Sequence, residues 1–141
     1  MAFNTRAYST LQYEMGSLSD TAGVTLVAGT ACKITKLPIV SPKVFTEQYY
    51  QLAPAGAGDE VHGVVKADGT ISDAAAGRLV GMNSGFIPVL LNAILVKGDY
   101  LKPVAGGKWD KAKAGDIAFA KLVEDGVKDG LAWARPVEIK L

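Results

Sequence analysis

The chain has 141 residues, 49% hydrophobic but only 8% aromatic, and its 15 Lys plus Arg nearly balance its 14 Asp plus Glu, for a formal net charge of +1. That length suits one domain with a real core; the balanced charge lacks the basic surplus that nucleic-acid binding leaves, and the longest apolar run, Phe86 to Val96, is broken by Pro88 and Asn92 and too short to cross a bilayer. The expected partners therefore include neither nucleic acid nor membrane, and a single cysteine, Cys32, rules out an intrachain disulfide.

Residues 2–19 are polar and mixed, with Phe3, Tyr8 and Tyr13 scattered among them and no sustained period. Such a segment reads equally as a frayed terminus or as an arm, residues 1–19, that orders on a partner through its rings. Met1 to Arg6 lacks the apolar core of a signal peptide, so a soluble, unprocessed product is expected.

Residues 20–141 read as a single β-rich domain of short apolar stretches and Gly/Asp turns. Val24–Ala28 is expected to be a strand, followed by a turn at Gly29-Thr30. Cys32 to Val40, with Pro38, reads as an edge strand or an extended loop. Phe45 to Leu52 fits a helical turn or a strand, and its period does not decide. Pro54 to Asp59 is a loop and Val61–Val65 a strand. Asp68-Gly69 marks a hairpin tip, and Ser72 to Ala76 can cap and begin a short helix ended by Gly77. Arg78 to Met82 is a strand, Asn83 to Gly85 a turn, and Phe86 to Leu91 a strand with Pro88 marking an edge or bulge.

From Val96 the pattern is a meander of strands separated by Gly-Asp and Asp-Gly turns. In Ile117 to Leu122 neither alternating face is strongly polar, which implies sheet-on-sheet packing or a face covered by another subunit. Trp133, flanked by Ala132 and Ala134, reads as a core anchor. The expected fold is all-β: a small sandwich or barrel-like domain of short antiparallel strands with at most one or two short helices.

Chemistry is sparse. His62 is the sole histidine and sits between Val61 and Gly63, outside any nucleophile context. Cys32 has no partner motif and reads as a small, semi-buried hydrophobe. One cysteine and one histidine are too few for zinc, and Asp125 to Gly130 places Lys128 where a calcium loop needs a ligand. Gly56-x-Gly58 and Gly77-x-x-x-Gly81 lack the Lys-Ser/Thr step of a phosphate loop. Nearly every Asp sits beside a Gly or opens a turn, as at Asp59, Asp68, Asp99, Asp116, Asp125 and Asp129, so turn formation already explains these carboxylates. No catalytic residue, metal or cofactor is assigned, and the expectation is a non-enzyme.

The run Ala76 to Gly81, Ser84 to Leu91, Lys97 to Leu101, Ala114 to Ala120 and the closing Trp133 to Val137 resembles the head decoration, or cement, proteins of tailed bacteriophages. The resemblance covers roughly residues 60–141, with a weaker echo in Gly23 to Ile34. It rests on the rhythm of Gly-Asp turns and small-residue strands. The Pro38 to Leu52 insertion and the aromatic N-terminus depart from it.

The resemblance implies a structural virion protein on the capsid exterior, made in the host bacterial cytoplasm. It implies the major capsid protein as partner and a homotrimer at three-fold positions of the expanded shell. It also implies an N-terminal arm that adds a strand to capsid protein, with Phe3, Arg6, Tyr8 and Tyr13 as its contact residues. The competing reading is a carbohydrate- or host-surface-binding β module using rings such as Tyr49, Tyr50 and Tyr100. A third, an enzyme built on His62 and a carboxylate, lacks a constellation.

Overall fold

The computed structural model describes residues 14–18, 26–40, 48–66 and 78–141. They form ten strands: β1 (Glu14–Leu18), β2 (Ala31–Val40), β3 (Gln48–Pro54), β4 (Gly63–Val65), β5 (Arg78–Gly81), β6 (Ile87–Leu90), β7 (Tyr100–Val104), β8 (Lys108–Lys111), β9 (Ile117–Leu122) and β10 (Leu131–Lys140). Among the described residues the one helical element is a 3-10 turn, Ala105–Gly107. The expected all-β architecture holds.

The first five strands close a ring in the order β1-β3-β2-β4-β5, and the last five form a sheet in the order β6-β10-β9-β7-β8. All pairings are antiparallel except β1 with β3. A parallel bridge, Leu91↔Trp109, also brings β8 against the chain just after β6, so the second sheet curls toward closure. Closing the first sheet removes its bare strand edges, the main aggregation liability of a β protein.

One core joins the two sheets. Ala31, Ala55, Val61 and Val64 from the first pack against Val89, Leu101, Trp109, Ala120 and Leu122 from the second. The small side chains the composition foretells let the layers approach closely, while Trp109 fills the remaining width. Trp133 is fully buried between two buried alanines, as expected.

Several sequence expectations change. Leu26 to Ala28 is not strand; the chain turns at Ala28-Gly29 instead. Gly29 has φ +79°, outside the β region, so the chain turns there despite the strand-like composition of Leu26–Ala28; Val24 and Thr25 lie outside the described residues. Cys32 to Val40 is strand, and Pro38 lies in a register shift between Lys36 and Ile39, where no ladder donor is required. The Phe45 to Leu52 ambiguity resolves to a strand starting at Gln48. His62 precedes β4 rather than lying within a strand.

The C-terminal strands do not run as a simple meander. β7 pairs with β8 on one side and with β9 on the other, so β8 folds back to the sheet edge. β6 is the opposite edge, which suits Pro88. Glu14–Leu18, the end of the segment read as an arm, pairs with β3 and β5. The Asp68-Gly69 hairpin and the Ser72 to Ala76 helix fall outside the described residues.

A repeated turn fixes the corners. Gly56–Asp59, Val96–Asp99 and Lys113–Asp116 each carry a positive-φ glycine at the third position, with φ of 83°, 94° and 93°. The Asp N–H closes each turn onto the first carbonyl at 3.1, 3.1 and 3.0 Å. The same Asp side chain accepts the first residue's N–H at 2.8, 3.0 and 2.8 Å. Each x-x-Gly-Asp corner is therefore clamped twice, by backbone and by side chain. Val127–Gly130 makes a related turn with Asp129 at φ 61°.

Candidate interaction surfaces

Cys32 and His62 are the only cysteine and histidine, and the fold sets them side by side: the His62 N–H donates to the Cys32 carbonyl at 2.9 Å. Cys32 is fully buried, and its thiol donates weakly to the Thr30 carbonyl at 3.4 Å. Burial pushes the thiol pKa up to about 12, the opposite of an activated nucleophile. His62 is half-buried, and its Nε2 lies 3.7 Å from Glu60 Oε2, an ion pair only when the ring is protonated. Among the described residues no group of three or more His, Cys, Asp or Glu could hold a metal ion.

The turn carboxylates are structural. The Gly56 N–H, and next Lys33 Nζ at 3.0 Å, hold Asp59 below its ordinary value of 3.8. The Lys113 N–H and Lys102 Nζ at 2.9 Å do the same for Asp116, and Lys108 Nζ at 2.6 Å for Asp129. A carboxylate held ionised by donated hydrogen bonds is a turn clamp, not a proton donor.

The sharpest surface feature is apolar. Ile94, Val96 and Val127 are 78%, 54% and 52% exposed. An antiparallel bridge pairs Leu95 with Gly126, closed by reciprocal N–H···O bonds of 3.1 and 2.9 Å. Leu95 points into the core. Its neighbours Ile94 and Val96 therefore alternate outward, and Val127, next to Gly126, lies across from Ile94. The Lys97 N–H donates to Asp125 Oδ1 at 2.8 Å, tying the same two loops again. Gly126 also lies against Leu91, whose Cδ1 a Cβ at this position would strike. These aliphatic side chains are thus presented on a braced rim. A sequence scan misses the group because Ile94 and Val127 are 33 positions apart and meet only through the Leu95–Gly126 bridge.

A second feature is a cleft. Hollows of about 430 and 440 Å³ share Glu60, Phe119 and Glu138. One extends to the Gly56–Asp59 and Lys113–Asp116 turns, and the other to Val61, His62, Met82 and Pro136. Phe119, only 8% exposed, forms the floor between them.

Phe3, Arg6, Tyr8 and Tyr13 lie outside the described residues. Tyr49 and Tyr50 fall in β3. Tyr100 is half-buried, with Lys121 Nζ 5.2 Å above its ring centroid, so that ring face is already occupied. No protein-family model matches the chain, and no curated protein matches it by sequence.

Proposed function

We propose that this chain is a structural virion protein that binds the outer surface of an expanded tailed-bacteriophage capsid and stabilises it, as a homotrimer at three-fold positions. The reading starts from the resemblance in the Gly-Asp turns and small-residue strands of residues 60–141. The observation that carries it is the braced apolar rim of Ile94, Val96 and Val127. An aliphatic group held outward on a doubly tied loop is costly to leave in water and ready to pack against another chain.

The mechanism needs no reactive group. A protein that binds the expanded lattice and not its precursor stabilises the expanded form by mass action. Each fully buried Val or Ile contributes about 1.5–3 kcal/mol, so one copy makes a modest contact. Many copies on one shell make the sum large. Rigidity matters because a compliant wedge would follow the shell's deformation instead of resisting it. The doubly clamped corners and the single core shared by both sheets supply that stiffness.

The test is co-sedimentation of the purified protein with expanded and unexpanded heads of the phage that encodes it. Saturable binding to expanded heads alone supports the reading. Equal binding to both forms, or to neither, removes it.

A further inference from the structure

β10 pairs with β9 from Ala134 to Lys140, whereas β6 covers only its first part. Leu131 to Ala134 face Leu90 to Ile87, and beyond Ala134 the preceding chain bends away at Ser84-Gly85. Among the described residues, the side of Arg135–Lys140 turned away from β9 therefore has no strand partner. The hollow lined by Val61, His62, Met82, Phe119, Pro136 and Glu138 adjoins this stretch. An unpaired run of backbone beside a partly apolar groove is the arrangement that accepts an added strand.

The electrostatics select the occupant. Of the four carboxylates around the joined hollows, Asp59 is paired with Lys33 and Asp116 with Lys102. Among the described residues, that leaves Glu60, which lies 3.7 Å from His62, and Glu138, which meets no cation there. Pro136 and the register shift between Pro136 and Ile139 blunt the edge against indiscriminate pairing, so side-chain recognition has to add to backbone bonding.

We infer that the Arg135–Lys140 edge and the Phe119 groove form a docking site for an extended segment of a partner protein in which apolar residues alternate with Lys or Arg. The apolar side chains enter the groove over Phe119 and Val61. The cations meet Glu60 and Glu138. This inference stands apart from the capsid reading, which uses the apolar rim of Ile94, Val96 and Val127.

The probe is a short capped peptide alternating Val and Lys, followed by amide chemical shifts of the full chain. The expected result is saturable binding with shifts at Val61, Met82, Val137 and Glu138. Methylating the peptide's backbone nitrogens should weaken binding by about tenfold or more, because strand addition uses those N–H groups. The double variant Glu60→Gln, Glu138→Gln should weaken it by roughly three- to tenfold with an unchanged fold, since both side chains are surface carboxylates. Absence of binding, equal binding of a Val/Glu peptide, or indifference to N-methylation would overturn the inference. So would self-association of the chain through this edge, which would assign it to a second copy.

Discussion

The indole N–H of Trp109 donates to the Gly29 carbonyl across 3.1 Å, joining β8 to a turn 80 residues earlier in the chain. The same carbonyl accepts the Leu90 N–H at 3.0 Å, and the Gly29 N–H donates to Val65 at 2.9 Å. One residue thus links β4 of the first sheet to β6 and β8 of the second. A Cβ on Gly29 would come within 2.5 Å of Leu131 Cδ2 and 2.7 Å of the Leu90 nitrogen, at a φ of +79°. Gly29→Ala should therefore destabilise the fold by about 3 kcal/mol or more, through strain and lost packing together. Trp109→Phe removes the donor and leaves a void, and should cost about 2–4 kcal/mol. Urea unfolding midpoints test both; a shift near zero for Gly29→Ala would show that the two sheets are not locked at this point.

Acid sensitivity follows from the turn clamps. Asp59, Asp116 and Asp129 have folded pKa values below the ordinary 3.8. A depressed carboxylate stabilises the fold fully above its unfolded pKa, and that contribution is lost as pH falls through the folded value. Stability should be flat near neutrality and decline below about 3.8. Asp116→Asn should lower the urea midpoint at neutral pH and reduce the slope of the acid decline. Parallel acid profiles for the variant and the parent would show that this clamp contributes nothing.

Cys32 should be chemically silent in the folded protein. A thiol pKa of about 12 leaves about one part in ten thousand as thiolate at pH 8. Burial then blocks access as well. A thiol reagent at pH 8 should modify the native chain only as fast as it opens, and a denatured chain at once. Rapid stoichiometric labelling of the native protein would contradict the burial.

The local corners were legible in the sequence because their causes are local. Gly-Asp at 58–59, 98–99 and 115–116 encodes both the positive φ and the side-chain clamp within four residues. Trp133 was legible for the same reason, since small neighbours on either side mark a buried ring. What escaped depends on distant pairing. Leu26 to Ala28 carries strand-like residues, yet it is fixed by Gly29 bonding to Val65 and Leu90. The β8-β7-β9 order is likewise set by register across the sheet, not by the turns between strands. The rim and the Phe119 cleft each gather residues far apart in sequence, which no periodicity reveals.

The rim itself can be tested without disturbing the core. Ile94→Lys and Val127→Lys replace outward side chains, so each should shift stability by no more than about 0.5 kcal/mol. Together they should weaken binding to expanded heads by at least about tenfold, through lost apolar burial and an unfavourable buried charge. Unchanged head binding with both lysines present would move the contact elsewhere on the molecule.

Cryo-imaging of expanded heads saturated with the purified protein addresses the capsid assignment most directly. The account predicts added density at three-fold positions on the outer surface, formed by three copies with Ile94, Val96 and Val127 in the contact. Bare three-fold positions at saturating protein, with shells no more resistant to heat than untreated ones, would contradict it.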